Sequence, residues 1–311
     1  LSISKMIDNA NLNSSPTSSD LGFIIGPQLN AASRIDNSTL PSRLLTSNNI
    51  EEIESISRKL ILLNEKRKLI ENNIFDQALK QAEKQKKQKY ILVYGQDWHK
   101  GVLGIVASRI ISRYYKPTIV ISFDGDKGVG SARSISSIDL GSIILNAKNK
   151  KILLSGGGHK MAAGLQINYN FLDEFLFFLN DNLNNFSNHL FEKIEKFDSI
   201  LSVNEINNEL LEIIESLEPF GAGNPEPKFI INDMAIGSIK ILKEKHLLIF
   251  FQNDFSDNLK AICFNCLETN LGDYLLNFKK YKFSVGCTIK KNTFKETFEP
   301  QIIIKDIMLI N

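Results

Sequence analysis

Four short segments carry residue types at spacings that could do chemistry, and each suits the handling of an anion. Ser155-Gly156-Gly157-Gly158-His159 follows the apolar run Ile152-Leu153-Leu154. Three successive glycines cost backbone entropy, but they let N–H groups come close to an anion. His159 stands at the entrance, able to donate to a phosphate oxygen, and Lys160 to Ala163 reads as a short helix behind it. A flexible turn with a surface histidine is the plainer alternative. In Gly128-Val129-Gly130-Ser131-Ala132-Arg133-Ser134 an arginine lies close to two serines, and its planar fork of donors matches phosphate geometry. Arg133 stands where a third glycine would complete G-x-G-x-x-G, so a dinucleotide fingerprint is rejected. The alternative here is a hairpin turn with a solvated arginine. Gly26-Pro27-Gln28-Leu29-Asn30-Ala31-Ala32-Ser33-Arg34 joins a tight turn to small residues that could aim Arg34 into a cleft, or leave it exposed at a helix start. Asp97-Trp98-His99-Lys100-Gly101 holds the only tryptophan. There Asp97 suits a helix cap near Gly101, and His99 is a ligand, a base or a polar loop residue.

Nucleophile signatures are missing: the sequence has no G-x-S-x-G, no H-E-x-x-H and no Walker A segment. It also has no paired Asp and His cluster able to hold two metal ions. Cys263 and Cys266 form a C-x-x-C, but no second such pair or H-x-x-x-H completes a zinc site, and both are expected in or beside a strand. Three cysteines make no disulfide framework and suit a reducing cytosol, so a cytoplasmic location is expected.

The elements that must position these groups follow from periodicity. Residues 1 to 20 read as a short helix and a loop. Between Asn49 and Gln88 apolar residues recur at three- and four-residue steps (Ile50, Ile53, Ile56, Leu60, Leu63, Ile70, Ile74), predicting one long helix capped by Ser47 or Asn48. Its end, Lys80 to Lys89, is almost wholly polar and basic, the pattern of a helix that bridges two domains. From Tyr90 to Ile167 strand-like runs alternate with helical ones, which argues for an α/β layer arrangement, and an amphipathic helix follows from Phe171 to Phe186. After a helix at Glu205 to Leu217 and the loop Glu218 to Pro227, several short strands in the remaining residues suit a small barrel. The 311 residues fit two or more domains at ~100–200 residues each. Lys and Arg total 37 against 35 acidic residues, a net charge of +2 that neither excludes nor demands nucleic acid. No apolar run reaches ~18 residues, so no membrane partner is expected. The start, Leu1 to Met6, has no basic region followed by an apolar one and is not expected to be a signal peptide; a first residue other than Met points to a fragment or a processed end.

Taken in order, these segments resemble the C-terminal portion of the RecJ exonuclease family, within the DHH phosphoesterase superfamily. Leu21 to Arg34 is similar to the family's Gly-Pro-x-Leu/Ile-Asn-Ala-Ala-Gly-Arg segment, and Leu63 to Lys68 to its connecting helix. Trp98 to Arg109, Gly130 to Ser134 and Gly156 to Gly164 resemble the DHHA1 domain, and Leu217 to Pro227 the entry to the OB-fold domain. The resemblance implies an α/β DHHA1 domain and a small all-β OB-fold barrel, joined by a long helix to a remnant of the DHH domain. The expected boundaries are 1–48 for the remnant, 49–89 for the helix, 90–200 for the DHHA1 domain and 201–311 for the OB fold.

It further implies a 5′-to-3′ single-stranded-DNA exonuclease of repair and recombination that uses Mn²⁺ or Mg²⁺. The metal ligands of such an enzyme would lie upstream, so this chain is expected to be inactive alone and to bind no metal. Its partners would be single-stranded DNA and the missing DHH domain, in cis or in trans. By carry-over Arg34, Arg133, Ser134, Arg109, Gly156, Gly157, Gly158 and His159 would meet phosphates. Phe250, Phe251, Phe264, Lys279 and Lys280 would line a strand-binding groove, although barrel core is the plainer fate of those aromatics. The chain departs from the family at Gln28, where Arg is usual, and at Ser33, where Gly is usual. The rival readings are a single-strand-binding module that cuts nothing, and an α/β hydrolase or an editing domain of the kind that accompanies some aminoacyl-tRNA synthetases.

Overall fold

The computed structural model describes residues 1–10, 12, 16–232, 235–251, 259–267, 269–292 and 299–310. Contacts divide the chain into two compact units, Leu1–Lys193 and Ile194–Asn311.

The first unit opens with helices α1 (Ser2–Asn9), α2 (Ser18–Asp20), α3 (Gly26–Ile35) and α4 (Leu40–Thr46), followed by the 35-residue α5 (Ile50–Lys84). The cap of α5 is Asn49, one residue past the predicted positions, and its side chain accepts from the N–H groups of Glu51 and Glu52. Along its first half Ile53, Ile56 and Leu60 pack with Met6, Ile25, Ala32 and Leu44. Along its second half the stripe shrinks to Ile74, Ala78 and Ala82, which pack against Ile91, Val93, Trp98 and Val106. The basic end is thus docked onto a sheet by small residues, which a hydropathy pattern reads as a lost stripe.

That sheet runs in the order β1 (Ile91–Gln96), β2 (Thr118–Asp124), β3 (Lys127–Arg133), β5 (Ala162–Asn168), β4 (Ser155–His159). The β1–β2 pair is parallel and the others antiparallel. The parallel crossover is α6 (Leu103–Tyr114), which covers β2 and β3 on one face. Helices α7 (Leu140–Asn149) and α8 (Leu172–Asn184) close the other face over Ile119, Ile121, Phe123, Leu165 and Ile167. At the edge beside α5, Gln81 and Gln85 each hydrogen-bond the backbone of β1 twice. Gln81 accepts from Tyr94 N (3.1 Å) and donates to Tyr94 O (2.7 Å), and Gln85 does the same at Leu92 (2.9 and 2.7 Å).

The second unit holds β6 (Ser199–Leu201), α9 (Asn208–Ser216), β7 (Phe229–Ile231), β8 (Ile236–Leu242), β9 (His246–Phe251), β10 (Lys260–Cys263), α10 (Asn270–Leu276), β11 (Lys282–Lys291) and β12 (Pro300–Ile310). Its strands hydrogen-bond in the order β6-β7-β11-β12-β10-β9-β8. They share a core of Ile231, Leu247, Ile249, Ala261, Val285, Ile289, Ile302 and Ile304, with Leu211 and Ile214 of α9. Among the described residues of the whole chain, no helix is long and apolar enough to cross a membrane.

Candidate nucleic-acid interface

The glycine-rich segments are strands, not turns. Gly128 to Arg133 runs through the middle of the sheet as β3, and Gly156 to His159 is the edge strand β4. Lys160 and Met161 make the hairpin turn, so the helix expected at Lys160 to Ala163 is replaced by the start of β5. The reason for these departures is the partner strand. On the face toward α7, Gly128 and Gly130 lie against Ile121, Phe123, Leu165 and Ile167, where an added Cβ would come within 2.6–3.0 Å. Low strand propensity is overridden by the space that these large neighbours fill.

On the opposite face the same strands build a floor of small groups. Register places Ser131, Gly164 and Gly157 in one row and Arg133, Ala162 and His159 in the next. Side chains alternate along a strand, so these positions share one face. Helix α6 reaches β3 and leaves the β5–β4 half open: Gly164 and His159 are exposed, and a Cβ added at Gly157 would meet nothing within 4 Å.

Two guanidinium groups stand at the covered margin of this floor. Arg133 donates to Ser131 Oγ (3.3 Å) and to the Ala132 carbonyl (2.9 Å). Its tip crosses the first turn of α6, where a Cβ on Gly104 would lie 2.8 Å from Nη2 and 3.0 Å from Ser131 Oγ. Arg34, in the last turn of α3, donates to the Gly101 carbonyl at 3.1 Å. Gly101 is packed so tightly on α3 that a Cβ would stand 2.0 Å from the Arg34 carbonyl oxygen. Burial first, and then the nearby charge of Arg34, lower the pKa of Arg133 from its ordinary value; an arginine nonetheless stays charged at neutral pH. Among the described residues no carboxylate pairs with either group. Two like charges that repel each other, beside the N-terminal end of a helix, favour an anion between them.

The structure brings Arg34, Arg133, Gly157 and His159 onto or beside this floor and leaves other expected contacts away from it. Ser134 is 4% exposed, and its hydroxyl donates to the Ile138 carbonyl at 2.8 Å, holding the turn after β3. Arg109 clamps α6 to α5, with Nη1 at 3.0 Å from Glu71 and 2.8 Å from Asn72 and its guanidinium 3.8 Å above the Phe75 ring. Gly156 and Gly158 face Ile144 and Ala163, not the open side, and a Cβ on Gly158 would collide with the Ala162 carbonyl at 2.3 Å. His99 caps the turn before α6, its Nδ1 accepting from Gly101 N at 3.2 Å, so the cap is not Asp97, which has φ +54° and bonds Phe123. Gln28 is buried with Oε1 unpartnered, so it points into the protein.

Residues that pattern reading missed are Ser131, which steadies Arg133, and Gly104, which makes room for it. For Ser131 the signal was its place two positions before Arg133, which puts both side chains on one strand face.

In the second unit Phe251 lies in the core, the plainer of the two fates expected for it. Phe250 is half-buried under Lys240, whose Nζ is 5.4 Å from the ring. Phe264 is 52% exposed and packs edge-on against His246 at 5.4 Å. Lys279 and Lys280 are exposed at the end of α10. Among the described residues no group of three or more His, Cys, Asp or Glu is placed to hold a metal ion.

Comparisons with known proteins agree with this architecture. The DHHA1 domain model matches residues 87–185, and the RecJ OB domain model matches residues 197–306. The single-stranded-DNA-specific exonuclease RecJ of Haemophilus influenzae is 38% identical over 240 residues, which cover 72% of this chain and 41% of that protein. Its Bacillus subtilis counterpart is 29% identical over 292 residues, 92% of this chain and 36% of that protein. A crystal structure of RecJ in complex with Mn²⁺ from Thermus thermophilus superposes on 100% of this chain and 44% of its own, with a TM-score of 0.82 at 22% identity. The chain therefore spans about two fifths of these relatives, and the last likeness is one of fold.

Proposed function

The chain belongs to the RecJ family, and from that premise we propose that it is the strand-holding part of a 5′-to-3′ single-stranded-DNA exonuclease of repair and recombination. The observation that carries the reading is the pair Arg34 and Arg133. Both guanidiniums lack a carboxylate partner among the described residues and border a floor where backbone can approach a phosphate closely. His159 closes the floor at its open edge. In the second unit Phe250 and Phe264 offer faces for base stacking, and Lys279 and Lys280 offer charge for the backbone.

Solved relatives carry Mn²⁺ or Mg²⁺. The described residues of this chain do not fit such an ion, so its own groups bind and orient the strand, and hydrolysis needs a DHH domain supplied in cis or in trans. A module that binds single strands in a cytoplasmic setting without cutting them is the second reading, favoured by that same lack of a metal-holding group.

The test is fluorescence anisotropy with labelled single-stranded and duplex oligonucleotides, followed by 5′-labelled single strands with Mn²⁺. Single strands should bind better than duplex. Three or four phosphate contacts should give a log–log salt slope of roughly −2 to −3. Equal affinity for both forms would defeat the strand-holding proposal. Release of mononucleotides by the stringently purified chain, abolished by chelation, would defeat the assignment of the chemistry to another domain.

A further inference from the structure

The C-x-x-C of the second unit is absorbed neither by its core role nor by strand binding. Cys263 ends β10, Phe264 and Asn265 form a turn with Asn265 at φ +52°, and Cys266 returns beneath it. Cys266 Sγ lies 3.2 Å from the Cys263 carbonyl oxygen. A four-residue turn brings its end Cα atoms within ~7 Å, close to the ~4.4–6.8 Å that a disulfide spans. Both cysteines are free thiols, 1% and 3% exposed, under a turn whose Phe264 and Asn265 are exposed.

We propose that Cys263 and Cys266 form a reversible dithiol modification site for small peroxides, and that closing their disulfide weakens strand binding by this unit. In the first step Cys266 sulfur attacks the peroxide O–O bond, giving a sulfenic acid and water. In the second, Cys263 sulfur displaces the sulfenic oxygen, forming the S–S bond and releasing a second water. Hydrogen peroxide is the oxidant, and two thiol hydrogens leave with the two waters. The hydrogen bond between the thiols, with burial, raises the pKa of Cys263, while that bond lowers the pKa of Cys266, in keeping with Cys266 as the first sulfur to react. Cys287 is a built-in control, because it stands on β11, outside the C-x-x-C turn, and burial pushes its thiol up to about 12.

The effect on binding follows from what Cys266 supports. Its carbonyl accepts from Thr269 N (3.0 Å) and Oγ1 (2.7 Å), and Thr269 caps α10. A Cβ on Gly272 of α10 would stand 2.0 Å from that same oxygen. Closing the knuckle therefore acts on Phe264, which it encloses, and on α10, which leads to Lys279 and Lys280. This second part rests on the strand-holding reading; the chemical part does not.

The full chain is treated with hydrogen peroxide, mapped by peptide mass, and assayed for single-strand affinity before and after thiol reduction. The peptide holding both cysteines should lose the mass of two hydrogens and regain it with a thiol reductant. Single-strand affinity should fall severalfold and recover. Cys287→Ser should behave like the parent, and Cys266→Ser should abolish the effect. Overoxidation of either sulfur, a link between chains, or no change in that peptide would overturn the site. A clean intrachain disulfide with unchanged affinity, in a parent chain that binds single strands, would overturn its coupling to binding. A parent chain that never binds would instead indict the strand-holding reading.

Discussion

Replacing Gly104 by Ala adds one methyl group to the first turn of α6 and separates stability from binding. The new Cβ would stand 2.8 Å from Arg133 Nη2 and 3.0 Å from Ser131 Oγ. Both are ends of side chains, so the guanidinium moves and the backbone stays. The fold gains by helix propensity, up to ~1 kcal/mol for Gly to Ala, and less this close to the N-terminus. Binding loses what Arg133 contributes in its present pose. A hydrogen bond to a charged group is worth ~1.5–3 kcal/mol, which converts to roughly 10- to 150-fold in affinity. The expected outcome is a melting temperature equal to or above the parent's, with affinity for a short 5′-phosphorylated single strand down at least about tenfold at low salt. Thermal melting and anisotropy read the two effects on the same preparation. Unchanged affinity would refute the claim that Arg133 binds from this pose. A large drop in melting temperature would refute the claim that only side-chain ends have to yield.

Further outcomes follow from the same geometry. Gly157→Val should leave the melting temperature unchanged or higher, because its Cβ meets open space and valine favours strands, yet it should weaken binding by raising the floor, as anisotropy would show. His159→Ala should keep the fold within ~0.5 kcal/mol and strongly reduce cleavage once a DHH domain is restored; parent-like cleavage would return His159 to an ordinary surface residue. Ser134→Ala should do the opposite, costing ~1 kcal/mol through the lost bond to Ile138 with affinity unchanged. Arg109→Ala should destabilise by leaving Glu71 with one cation fewer and uncovering Phe75, and denaturant melts with parent-like binding would separate this role from phosphate contact.

Much of the first unit was legible because its apolar periods are clean: α5 lies near its predicted position, and strands alternate with helices between Tyr90 and Ile167 as expected. The glycine segments, read as turns, are strands. Propensity speaks against a strand at Gly128 and Gly130, and only the facing Ile121, Phe123 and Leu165 show why no side chain fits there. The same blindness applies to Arg109. An arginine near a glycine-rich helix start looks like a phosphate ligand until Glu71, 38 positions earlier in the chain, is seen beneath it. Phe250 and Phe251 illustrate the limit for aromatics, since adjacent strand residues face opposite sides and sequence alone does not say which is inside.

The paired glutamines of α5 have a consequence for the hydrogen-exchange pattern of the sheet. Four residues along a helix rise ~6 Å, nearly the span of two residues along a strand, so Gln81 and Gln85 match Tyr94 and Leu92 and act as an extra strand made of side chains. An edge strand ordinarily offers a template to a foreign chain; here that template is already occupied, and its outward amide protons are shielded from solvent. Among the described residues no side chain bonds the opposite edge, β4, in this way, and three of its five residues are glycine. Unwanted strand addition, where it occurs, is directed to β4, the border of the floor that a bound strand would itself cover.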